Sequence, residues 1–152
     1  MLSNSSPWFE VALGELGVCE TPGRGHTYRI LEYHSTTTLG DWGRSRDETP
    51  WCSSYVNWCV SQYVGGTDDA LARSWLTWGV ECEPQLGCVC VIKRKRRGSD
   101  RRTGSRGGWH VGFYINHTRG GVILLSGNAQ DRVGIDSYFN RSYEVLAYRG
   151  AE

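Results

Sequence analysis

The hydrophobic period of this chain changes near residue 80, and that change limits the fold more than any other feature. Before it, apolar residues recur at three- and four-residue intervals, the period of helices buried along one side. After it, residues 88–92, 109–115, 121–126, 132–137 and 143–148 read as strands, separated by turn-forming Gly, Asn, Asp and Ser. Helices first and then an antiparallel sheet of about five strands is an α+β layout, with the N-terminal helices packed on the C-terminal sheet. At 152 residues and without an internal repeat, the chain reads as a single domain, 1–152.

The best-defined helix follows Thr49, a suitable N-cap, and Pro50, which fits a first helical position because its missing N–H costs nothing there. Its apolar stripe is Cys52, Tyr55, Val56, Cys59, Val60 and Tyr63, and Gly65-Gly66 is expected to end it. An earlier helix is expected after Ser6 and Pro7, with Trp8, Phe9, Ala12, Leu13 and Leu16 facing in and Gly17 closing it. A short one is expected over residues 27–33, with Tyr28, Leu31 and Ile30 inward. Thr67, Asp68 and Asp69 suit the start of another, with Leu71, Trp75 and Leu76 inward. Residues 34–46, which include Trp42, read as a polar loop near the site.

This places Cys52 in the first turn of a helix, where free backbone N–H groups and the positive end of the helix dipole favour a thiolate. A later strand carries His110 in its middle. A cysteine at a helix start with a strand histidine is the raw material of a thiol hydrolase, Cys52 the nucleophile and His110 the base. The plainer alternatives are a small buried hydrophobe and a structural strand histidine. A third group must hold the imidazole. Folding back at residues 116–121 brings positions near 127–128 opposite His110, at the ~4.5–5.5 Å Cβ spacing of facing strand residues, so Asn128 is chosen. A one-residue slip would turn it to the other face, and Ser126 and Gln130 stay candidates. Gly112 is read as leaving space beside His110. Tyr55, Trp51 and Trp109 flank these motifs and are the candidate substrate contacts, though core payload is the alternative. Asp47 reads as a loop acid, and His26, His34 and His117 as surface or loop residues.

Four stretches carry a resemblance: Pro50-Trp51-Cys52-Ser53-Ser54-Tyr55-Val56-Asn57-Trp58-Cys59, Leu71-Ala72-Arg73-Ser74-Trp75-Leu76-Thr77-Trp78-Gly79, Trp109-His110-Val111-Gly112-Phe113-Tyr114 and Gly127-Asn128-Ala129-Gln130. Together they resemble the NlpC/P60 and CHAP superfamily, in a branch of bacterial and phage proteins, over most of the chain. The resemblance implies a papain-like fold and hydrolysis of an amide bond in peptidoglycan, by a stem-peptide endopeptidase or an N-acetylmuramoyl-L-alanine amidase. It implies a cysteine, a histidine and a polar third residue, and no cofactor. CHAP members often carry an acid two positions before an asparagine, and this chain departs from that with Ser126.

Charge is unevenly placed. Residues 93–106 hold eight cations against Asp100, a net +7 in a chain of net +1, so the remainder carries −6. Within the insert 93–108 this run has no apolar period, and it reads as a flexible, solvated loop able to draw the protein to an anionic envelope surface. No stacking aromatics are interleaved with it, so nucleic acid is not expected as a partner. No apolar run is long enough for a transmembrane helix, and residues 1–7 do not read as a secretory signal. The expectation is a monomer made in the cytoplasm that reaches the wall through a holin, a secretion machine or lysis. The six cysteines are read as mostly free thiols, and Cys82, Cys88 and Cys90 lack the CxxC spacing of a zinc site. Rival functions are a cysteine deamidase or acyltransferase on another substrate, and a non-enzymatic envelope-binding module.

Overall fold

The computed structural model of the protein describes residues 5–22, 25–38 and 50–152. Within them, helices α1 (Phe9–Gly14), α2 (Tyr28–His34) and α3 (Cys52–Val60) and a 3-10 helix (Ala72–Thr77) precede or flank strands β1 (Val80–Glu81), β2 (Val89–Arg94), β3 (Trp109–Thr118), β4 (Gly121–Ala129), β5 (Arg132–Phe139) and β6 (Tyr143–Gly150). The strands form one six-stranded antiparallel sheet in the order β1-β6-β2-β3-β4-β5. The α+β layout is the one the change of period requires, with the short edge strand β1 added to the five expected.

Strand alternation gives the sheet two different faces. Val89, Val91, Val111, Phe113, Leu125 and Val133 point to the helices and form the main core with Trp8, Phe9, Tyr33, Trp51, Tyr55, Val56 and Trp75. Cys88, Cys90, Ile92, Tyr114, Val122, Leu124, Tyr138 and Tyr143 form a second, smaller cluster on the opposite face.

Several helix boundaries differ from the sequence reading for local reasons. The N-cap of α3 is Trp51, one residue beyond Pro50, and Thr49, Trp42 and Asp47 lie outside the described residues. The Trp51 indole donates to Glu20 at 2.9 Å while its carbonyl accepts from the Tyr55 N–H at 2.9 Å. Burial of the large ring thus fixes where the helix begins. The helix ends at Val60, ahead of Gly65-Gly66, and Tyr63 is exposed. In α1 the helix starts at Phe9 with Trp8 as N-cap; the Ser6 carbonyl accepts from the Phe9 N–H at 3.0 Å in a turn that precedes it. Tyr28 is exposed, and α2 buries Ile30, Tyr33 and His34 instead. The expected fourth helix is a 3-10 turn. The Thr67 and Asp69 side chains bond to backbone N–H groups of Asp69 and Leu71 at 3.2 and 2.8 Å, which keeps the lead-in extended and leaves Leu71 exposed.

One glycine sets how closely helix and sheet approach. A Cβ at Gly127 would stand 2.7 Å from Tyr55 Cβ and 2.8 Å from the Trp51 ring. Gly127→Ala is therefore expected to lower stability by ~1–3 kcal/mol, as overpacking does. It should appear as a lower urea midpoint with an unchanged m-value, and an unchanged midpoint would refute the close packing.

The basic insert is not the solvated loop its composition suggests. Asp100 and Thr103 are buried, and Asp100 bridges to Ser105 within the segment. Tyr143 Oη donates to Asp100 at 2.6 Å, Arg102 lies over the Tyr138 ring at 4.3 Å, and the Arg102 carbonyl accepts from the Gln130 N–H at 2.8 Å. Asp100 and Arg102 find partners on the second sheet face, Arg94 lies 3.8 Å from Asp100, Lys93 lies over the Trp109 ring, and Lys95, Arg96, Arg97, Arg101 and Arg106 are exposed. Periodicity is blind to anchors of that kind. Among the described residues, no helix is long and apolar enough to cross a membrane.

Candidate active site

Cys52 opens α3, which lies against β3 and β4. Its side chain is 6% exposed. Backbone N–H groups of Val111, Ser53 and Cys52 itself are directed at the sulfur, but burial outweighs them and pushes the thiol up to about 11. The expectation of a resting thiolate at this helix start is thus overturned for the closed protein. The favourable N–H groups are present, and loss of water costs more than they return.

His110 sits on β3 with its ring over the second sheet face, beside Ser126 and Tyr138. Its Nε2 is 2.9 Å from Ser126 Oγ and 3.4 Å from Tyr138 Oη. Nδ1 is buried and has no hydrogen-bond partner among the described residues, the Cys52 sulfur included. Burial pulls the imidazole from its ordinary 6.5 down to about 3; the Asp100 charge raises it and Arg102 lowers it, both by less. The ring is therefore neutral at physiological pH. For Nδ1 to act as a base, Nε2 must carry the proton and donate it to Ser126, and the Ser126 contact permits that tautomer.

The cysteine and the histidine are brought to one strand segment but not to each other. The sulfur reaches the Val111 N–H from the helix side, and the His110 ring leaves the preceding residue toward the other side. Nδ1, one bond from Cγ, is the ring nitrogen next to that backbone.

The third group beside the ring is Ser126, not Asn128. The β4–β5 pairing slips between Ser126 and Ala129, and Asn128 adopts a left-handed backbone with φ 55° inside that irregularity. This takes its side chain to Gly104 of the basic segment, where a Cβ would stand 2.4 Å from the Asn128 amide nitrogen. Strand alternation alone would place 126 and 128 on one face. The bulge carries 128 away from the ring, and no sequence signal other than the Gly-Asn pair marks it. Gln130 is exposed in the following turn with φ 55°. Gly112 leaves no open space: its missing side chain is what admits Ser126, whose Cβ would be 2.8 Å from a Cβ at 112.

The candidate substrate contacts divide. Tyr55 is fully buried and its hydroxyl donates to the Ala12 carbonyl at 2.7 Å, so it is a core residue rather than a substrate contact. Trp51 is fully buried, stacked on Tyr33 and tied to Glu20. Trp109 alone is partly open, with the Lys93 ammonium 5.5 Å from its ring centroid. His34 is also not a surface residue: it is buried, with Nδ1 2.9 Å from Ser54 Oγ on α3. Tyr114 Oη lies 2.6 Å from His117 Nδ1 at the exposed end of β3. Cysteines 19, 52, 59, 82, 88 and 90 are free, and among the described residues no group of three metal-ligating side chains converges.

No protein-family model matches the chain, and no curated protein matches it.

Proposed function

We propose that the protein is a cysteine hydrolase of the papain-like NlpC/P60 and CHAP type that cuts an amide bond in peptidoglycan, in the stem peptide or between muramic acid and alanine. The observation that carries this reading is the His110 ring, held at Nε2 by Ser126 with Nδ1 unpartnered, on the residue next to the Val111 N–H that reaches the Cys52 sulfur. In the proposed reaction the ring and the sulfur must first be brought together at β3; Nδ1 then takes the thiol proton as sulfur attacks the carbonyl carbon. The C–N bond breaks, and the same proton passes to the leaving amine. Water, deprotonated by Nδ1, then releases the thioester. The oxyanion is held by backbone N–H groups at the start of α3. No step needs a cofactor.

The resting pair is neutral. Burial holds the thiol up and the imidazole down, so proton transfer between them is unfavourable in the closed site. Substrate entry must therefore bring polar groups or water to the pair before it reacts. Exposed Lys95, Arg96, Arg97, Arg101 and Arg106 give one face a cationic surface suited to anionic wall polymers, and the cell wall is the proposed place of action.

A second reading, a non-catalytic domain in which Cys52 and His110 are core residues, is favoured by the burial of both side chains. Purified peptidoglycan separates the two. The hydrolase releases new amino groups; His110→Ala lowers the rate by ~10²-fold or more, and Ser126→Ala lowers it by less, through loss of the ring's anchor. No release by the wild-type protein would leave the non-catalytic reading.

A further inference from the structure

The basic segment does more than present charge: its inner side packs on Tyr138, the ring that lies against the histidine. Residues 98–108 leave β2 and return to β3 as a hairpin-like excursion over the second sheet face, closed by the Arg94 N–H to the Gly108 carbonyl at 2.8 Å. Gly98, Gly104 and Gly108 have φ of 103°, 70° and 83°, a region in which glycine carries no steric penalty. Gly98 and Gly108 stand at the two ends of the excursion.

Two side chains on the inner side hold it down. Asp100 accepts from Tyr143 Oη at 2.6 Å, and its other oxygen accepts from the Arg102 N–H at 3.0 Å. The Arg102 guanidinium stacks on Tyr138 and donates to the Ser137 carbonyl. Gly104 abuts the Asn128 amide. Tyr138 is also the ring packed against His110, at 5.4 Å between centroids, so the segment closes the same pocket of side chains that holds the imidazole. His110 itself is 0% exposed.

The closed position leaves two polar atoms unsatisfied among the described residues. Thr103 Oγ1 and Asn128 Oδ1 are both buried without a hydrogen-bond partner, one on the cover and one on the β4 bulge at its edge. Each unsatisfied group costs stability in the closed state that water restores on opening. Closure is thus held by a few polar contacts and opposed by two orphaned groups, a balance suited to reversible opening.

We propose that residues 98–108 are a hinged cover over His110, and that the cover lifts before a substrate reaches the imidazole. Its role as a gate rests on the hydrolase reading above; its opening does not. Opening is measured by carbethoxylation of His110 with diethyl pyrocarbonate, mapped by peptide mass, together with amide hydrogen exchange. In the wild-type protein, His110 is modified more slowly than exposed His117. The Gln130 amide, bonded to the Arg102 carbonyl, exchanges through an opening that leaves the Phe113 amide protected. Tyr143→Phe removes the hydroxyl that holds Asp100 and keeps the ring. It should speed His110 modification and Gln130 exchange about tenfold or more without changing Phe113. Arg101→Ala, on the exposed outer side, should change neither. The cover is overturned if His110 modification is equally fast in the wild type and Tyr143→Phe, if Arg101→Ala accelerates it as much, or if Gln130 exchanges only together with Phe113. The wild-type exchange data stand even if Tyr143→Phe does not fold. A cover that opens on a protein inert toward peptidoglycan would remove the hydrolase reading and keep the cover.

Discussion

The protein is expected to lose ~5 kcal/mol of unfolding free energy between pH 6.5 and pH 3 through His110 alone. Burial holds the folded imidazole at about 3 against an ordinary 6.5. Between those limits the unfolded chain binds a proton at this residue and the folded chain does not, so stability falls as pH falls. The contribution is fully present above 6.5 and gone below about 3, and ~3.5 units at 1.36 kcal/mol each give the magnitude. The Asp100 and Arg102 charges act on the ring in opposite directions and are smaller than the burial effect. The measurement is urea unfolding at a series of pH values for the wild type and His110→Gln. The glutamine variant should be less stable at pH 7, and the gap should close toward pH 3. Parallel curves at a constant offset would mean that His110 is not held neutral by burial.

The same burial bears on catalysis. A buried neutral imidazole beside a buried neutral thiol is a poor reactant pair until its surroundings change. The cover over His110 and the path to Cys52 therefore matter as much as the identities of the two residues. Turnover should depend on whatever opens the site, and thiol reagents should label Cys52 slowly at neutral pH.

The strands and the helix that carries Cys52 were legible because each has one buried side, and alternation at two or 3.6 residues records that directly. The hairpin between β3 and β4 was legible from Thr118-Arg119-Gly120-Gly121, and with it the closeness of β4 to His110. What was not legible was set by contacts distant in sequence. Asn128 leaves the histidine because β4 bulges against β5, at the place where Gly127 meets Trp51 and Tyr55. Tyr55 belongs to the core because the carbonyl of Ala12, 43 positions away, takes its hydroxyl. The basic segment is folded because Asp100 finds Tyr143. The thiolate expectation failed for a related reason. A helix start supplies donors in any sequence, but how much water remains around the sulfur is decided by the packed structure.

Replacing Cys52 is expected to have the largest effect on activity. The sulfur is the proposed bond-forming atom, and among the other cysteines Cys59 is buried beside Tyr55 further along α3, while Cys88 and Cys90 are fully buried in the strand β2 cluster and its lead-in, not at a helix start. Loss of a nucleophile in such a unit removes nearly all turnover, roughly 10³-fold or more. Cys52→Ala should fold, because it shortens a side chain that packs at the edge of the main core. Its stability should fall by at most a few kcal/mol.

The deciding measurement is the release of new amino groups from purified peptidoglycan by wild type and Cys52→Ala, with the products identified by mass. Release by the wild type alone, with masses matching one cleaved amide, is the expected result, and those masses name the bond. Equal release by both proteins, or none by either, would contradict Cys52 as the nucleophile of a peptidoglycan hydrolase.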